Sequence, residues 1–139
     1  MAKAKADAYK DWVRAVVPRL REYFYLEAWH IDLVWEEDDS SAGGCSGVIA
    51  HIDINDSYLQ AVIHMMPASR EMFDDGDTEK LAFCLVHEFS HILTEPLYKV
   101  AVDATTNASA NFLETIREQQ TQRIALAVFR GIPEELYSL

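Results

Sequence analysis

The stretch that most constrains this chain is residues 81–93, Leu-Ala-Phe-Cys-Leu-Val-His-Glu-Phe-Ser-His-Ile-Leu. Leu81, Leu85, Phe89 and Ile92 recur at helical spacing, which predicts a helix with one face anchored in a core. Lys80, Cys84, His87, Glu88 and His91 fall nearer the other face. His87 and His91 are four residues apart, so their imidazoles stand one turn above each other and can grip a single metal from one side. Glu88, next to the first histidine, is poorly placed to ligate that metal but well placed to take a proton from a water beside it. Chance placement of the 5 histidines and 12 glutamates of this 139-residue chain yields about 0.015 such His-Glu-x-x-His patterns. A helix that merely carries two histidines on its polar face is therefore the weaker reading.

Length and composition narrow the classes. One domain over residues 1–139 is expected, with enough apolar residues (50%) to bury a core. No apolar run approaches a membrane span, and no apolar segment follows Lys3 and Lys5, so no secretory signal is expected. Cys45 and Cys84 make neither a disulfide framework nor a metal clip, which suggests a reduced, cytoplasmic setting. A net charge of −11 repels phosphate backbones and anionic lipid, which argues against nucleic-acid and membrane partners.

In chain order, apolar spacing over residues 5–28 predicts an amphipathic helix, with Pro18 expected to kink or split it. Residues 29–35 alternate Ile31, Leu33 and Trp35 with His30, Asp32 and Val34, a strand with one buried face. The acidic, then Gly- and Ser-rich run 36–47 reads as a flexible loop; it lacks the ligand spacing of a calcium loop. Residues 48–54 and 58–66, joined by Asn55-Asp-Ser57, predict a β-hairpin. His51, Asp53 and His64 sit at alternating positions on it, and a polar outward face is their simplest reading, with metal ligation or substrate contact as the alternative. Residues 68–73 read as a short helical connector, and Asp77 as the cap of the motif helix, expected over 78–94. Cys84 is read as a packed small residue. Pro96 is expected to end the motif helix, placing Tyr98 in the loop after it, and a last helix is expected over 107–130, closed by Gly131 and Pro133.

A catalytic zinc usually has three protein ligands and one open position. The last helix offers Glu114 and Glu118, one turn apart on one face, and spacing alone leaves the choice between them open. No histidine follows His91, which excludes the metzincin pattern.

The order of helix, short strands, His-Glu-x-x-His helix and glutamate helix resembles the minigluzincins, compact zinc metallopeptidases. It is most similar to the small metallopeptidase domains of phage and prophage genomes. The resemblance spans roughly residues 25–130. In that family a glutamate followed by Gln, shortly ahead of an Arg-apolar-Ala run, provides the third ligand. Glu118-Gln119 ahead of Arg123-Ile124-Ala125 matches this, and Glu114 does not. The resemblance implies an α+β, zincin-like fold: an N-terminal helix, a small, mainly antiparallel sheet of about three strands, the motif helix and the glutamate helix. It further implies one zinc per chain on His87, His91 and Glu118, Glu88 as the catalytic base, and a peptide or protein substrate in the cytoplasm, the host's if the chain is phage-encoded. Tyr98 is a candidate for stabilising an oxyanion, with packing as its simpler role. An extended peptide could add to either strand of the 48–66 hairpin.

Two further readings compete with a zinc peptidase. A non-catalytic phage structural or interaction protein could use zinc only as a fold staple. A regulatory peptidase that cleaves a repressor is the other, but such proteins often carry a helix-turn-helix segment, and none is readable here.

Overall fold

Helix α1 (Ala8–Tyr23) opens the computed structural model, which describes residues 6–44, 47–104 and 110–139. Tyr9, Trp12, Val13, Val16, Val17 and Leu20 form its buried stripe, as the spacing predicts. Asp7 caps it, accepting from the Lys10 amide at 3.3 Å. The helix runs unbroken through Pro18; burial of both flanking turns outweighs the one ladder bond that proline removes. It ends earlier than residue 28 because Tyr25 turns left-handed (φ 57°), freeing the chain to enter a strand.

Strands β1 (His30–Trp35), β2 (Ala50–Asn55) and β3 (Gln60–Met65) form one sheet in the order β1-β3-β2. The expected hairpin is present: β2 and β3 pair antiparallel from Ala50↔Met65 to Asn55↔Gln60. Leu59 closes its turn in the left-handed region at φ 51°. The expectation of a mainly antiparallel sheet needs correcting, because β1 pairs with β3 in parallel, His30↔Gln60 to Trp35↔Met65. β3 is therefore the central strand, and its Ala61, Ile63 and Met65 are buried. Period-two alternation puts Ile31, Leu33, Ile52 and Ile54 on the same inner face.

Helix α2 (Pro67–Asp74) follows with Pro67 in its first turn, where a missing N–H costs nothing. Ser69, fully buried, donates to the Met66 carbonyl at 2.6 Å and meets the Tyr9 hydroxyl, tying α2 to α1. Gly76 (φ 82°) makes the left-handed turn that a side chain would strain.

Helix α3 (Thr78–Ala104) starts where expected, with the Leu81 amide donating to the Asp77 carbonyl at 3.0 Å. It does not stop at Pro96, as the sequence suggests, but runs on to Ala104. Its far half is held from outside: Glu95 and Tyr98 contact the next helix, and Lys99 pairs with Asp56 of the hairpin turn. These contacts offset the backbone bond lost at the proline.

Helix α4 (Ala110–Gly131) completes the layer, and the expected start at 107 lies outside the described residues, as does Cys45. After it the chain folds back on α1. The Trp12 indole donates to the Tyr137 carbonyl at 2.9 Å, and Arg19 to the Glu135 carbonyl at 3.0 Å. Buried residues of α1, β3, α3 and α4 form one hydrophobic cluster, including Val13, Ile63, Leu85, Phe89 and Ala125. The architecture is thus α+β, with four α-helices and a three-stranded mixed sheet among the described residues. Among these residues no helix is long and apolar enough to cross a membrane.

Candidate metal centre

α3 and α4 run antiparallel, because His87 meets Gln122, His91 meets Glu118 and Thr121, and Tyr98 meets Glu114. On α3, helical spacing brings His87 and His91 to one side, while Leu81, Leu85, Phe89 and Ile92 are buried on the other. On α4, Glu118, Thr121 and Gln122 share a face through i, i+3 and i+4 spacing.

Nε2 of His87 lies 3.5 Å from Glu118 Oε2, and Nε2 of His91 lies 3.5 Å from Glu118 Oε1. Two atoms about 2.1 Å from one tetrahedral zinc lie roughly 3.4 Å apart, so the spacing suits that ion. The three side chains each offer a ligand atom within 4.8 Å of the others. A donor set of two imidazoles and a carboxylate also matches zinc chemically.

The other ring nitrogens are engaged. His87 Nδ1 is 2.7 Å from Gln122 Oε1, an acceptor, so Nδ1–H donates and Nε2 is the nitrogen left to face Glu118. His91 Nδ1 is 3.5 Å from the buried Thr121 hydroxyl, which in turn lies 3.1 Å from that of Thr94. Burial, followed by the charges of His87 and Arg117, lowers the His91 pKa to about 4, which keeps the ring neutral near pH 7.

Glu88 is buried, and burial, with the Glu118 charge second, raises its pKa to about 8. It lines a cleft of about 600 Å³ together with His87, His91 and Glu118 on one side and β2 on the other. Among the described residues only β2 of the hairpin has an unpaired edge, since β3 is central.

Glu114 points elsewhere. It accepts from the Tyr98 hydroxyl at 3.0 Å and pairs with Arg117. Arg117 lies 3.6 Å from Glu95, 4.0 Å from Glu118 and over the Tyr98 ring at 4.2 Å. Tyr98 therefore sits within α3 rather than in a loop, and its hydroxyl is committed to Glu114, which removes the geometric basis for an oxyanion role. Cys84 is half-buried, and burial pushes its thiol pKa up, as a packed residue would show.

The hairpin histidines form a second cluster. His51 and His64 are direct cross-strand partners whose rings stack at 4.3 Å. His64 Nδ1 lies 2.7 Å from Glu36 and Nε2 lies 2.9 Å from Asp53.

Sequence reasoning misses Gln122, Thr121 and Arg117. Their spacing from Glu118 is the available signal, because residues one turn along the same face must meet the same partner helix. Compared with family models, curated proteins and solved structures, the chain gives no match.

Proposed function

We propose that this chain is a zinc-dependent metallopeptidase of the minigluzincin type, with a zincin-like fold. The observation that carries the reading is the convergence of His87, His91 and Glu118, with the remaining ring nitrogens engaged by Gln122 and Thr121. His87, His91 and Glu118 would hold the zinc; when bound, it polarises a water and the scissile carbonyl.

Glu88 takes a proton from the attacking water as its oxygen bonds to the carbonyl carbon. It then delivers that proton to the amine nitrogen as the C–N bond breaks. The raised pKa of Glu88 belongs to the metal-free centre, where the carboxyl keeps its proton near pH 7; a zinc beside it would lower that pKa and leave the carboxylate free to act as the base. The free edge of β2 beside the cleft suits an extended peptide, which would add to the sheet by backbone hydrogen bonds.

The test is metal content by mass spectrometry beside peptide-library cleavage. Wild type is expected to hold about one zinc at this centre, and His91→Ala and Glu118→Ala to lose it. Glu88→Gln is expected to keep zinc and abolish cleavage; cleavage retained in that variant would refute the mechanism. Zinc retained by a wild type that cuts nothing would favour the fold-staple reading.

A further inference from the structure

We infer that His51, Asp53 and His64 form a second site for a divalent transition-metal ion, on the sheet wall of the cleft. Each of these residues offers a ligand atom within 4.8 Å of the others. The hairpin register brings them together: His51 and His64 are opposite each other, and Asp53 is two residues along the same face.

The hydrogen-bond arrangement around His64 is the decisive feature. Glu36 Oε1 and Asp53 Oδ2 lie 2.7 and 2.9 Å from its two ring nitrogens. A neutral imidazole has a single N–H and can donate to only one carboxylate. Glu36 is the more buried of the two, at 19% side-chain exposure against 73% for Asp53. With Nδ1–H donated to Glu36, Nε2 is left facing the carboxylate of Asp53, and either a bound cation or a second ring proton must reconcile the two. Two ligand atoms about 2.1 Å from one metal at the right angle of an octahedral site are about 3.0 Å apart, close to the 2.9 Å of this pair, whereas tetrahedral zinc needs the pair to open to about 3.4 Å. Glu36 then does for His64 what outer carboxylates do at metal sites, fixing the ring and raising its basicity.

His51 supplies the third ligand. Its Nε2 lies 3.1 Å from the Ser41 hydroxyl, which holds the ring at the edge of the cleft. His51 and Asp53 also line the cleft that holds His87 and Glu118. Two imidazoles and one carboxylate suit zinc, cobalt or iron(II) better than magnesium or calcium, which prefer oxygen.

The site is independent of the peptidase reading, and zinc counting separates the two. The chain is dialysed against zinc and its metal content measured. Wild type is expected to hold two zinc ions, His91→Ala one, Asp53→Asn with His64→Gln one, and the three substitutions together none. Glu36→Gln is expected to weaken the second site by roughly 10–100-fold. Because Asp53 is exposed, Asp53→Asn alone leaves packing intact and tests the site even if the His64 variant fails to fold. One zinc in wild type, kept by His91→Ala and lost on the hairpin substitutions, would support the second site while sinking the peptidase centre. One zinc in wild type, lost in His91→Ala, would overturn the inference and leave His64 as an imidazolium bridging two carboxylates. An unchanged count in the Asp53 and His64 variants would overturn it as well.

Discussion

Replacing Glu88 with Gln should stabilise the metal-free protein while it destroys catalysis. Burial raises the Glu88 pKa from its ordinary 4.5 to about 8. Between these values the folded state holds a proton that the unfolded state has released. Stability therefore falls as pH rises from 4.5 toward 8, and the full penalty is present above 8. At pH 7 the penalty spans the interval from 4.5 to 7, at about 1.4 kcal/mol per pH unit, or about 3 kcal/mol. Gln keeps the neutral shape and carries no such penalty. Urea unfolding in the presence of a chelator should show Glu88→Gln more stable than wild type by about 3 kcal/mol at pH 7, with the gap closing near pH 4.5. A gap that is absent at pH 7, or constant with pH, would refute the claim that a buried, costly carboxylate sits at position 88.

Removing the groups that orient the imidazoles should weaken zinc without touching a ligand. Gln122→Ala is expected to lower zinc affinity about 10-fold, and Thr121→Val nearer 100-fold because Thr121 is buried, measured by competition with a chromophoric chelator. Unchanged affinity in both would remove the case for tautomer control. Phe89→Ala should lower stability by about 3–5 kcal/mol, since its ring is fully buried against Phe24, as read from denaturant midpoints. A loss under about 1 kcal/mol would mean that the core beneath the motif is loosely packed.

The motif helix is legible in the sequence because its 3.6-residue period is local: Leu81, Leu85, Phe89 and Ile92 report the core, and His87 and His91 the opposite face. The hairpin is legible for the same reason, with alternation and turn residues side by side in the chain. The parallel pairing of β1 with β3 is not, because the choice of partner between distant strands leaves no local mark. Pro96 misleads for a related reason: its effect on the backbone is local, whereas the contacts of Glu95, Tyr98 and Lys99 that carry the helix past it come from elsewhere. Gln122 and Thr121 carry no motif and acquire meaning only once α4 lies against α3.

The antiparallel pairing of α3 and α4 bears on how the fold is reached. His87, His91 and Glu118 lie on two helices consecutive in the chain, so the contacts of the centre join residues about 30 positions apart, with a modest entropic penalty. The return of the chain from Tyr137 to Trp12 joins residues 125 positions apart and is among the most demanding contacts to form. The ligand cluster is therefore among the more local tertiary contacts of the fold, and the clasp between the first and last described helical segments among the least local.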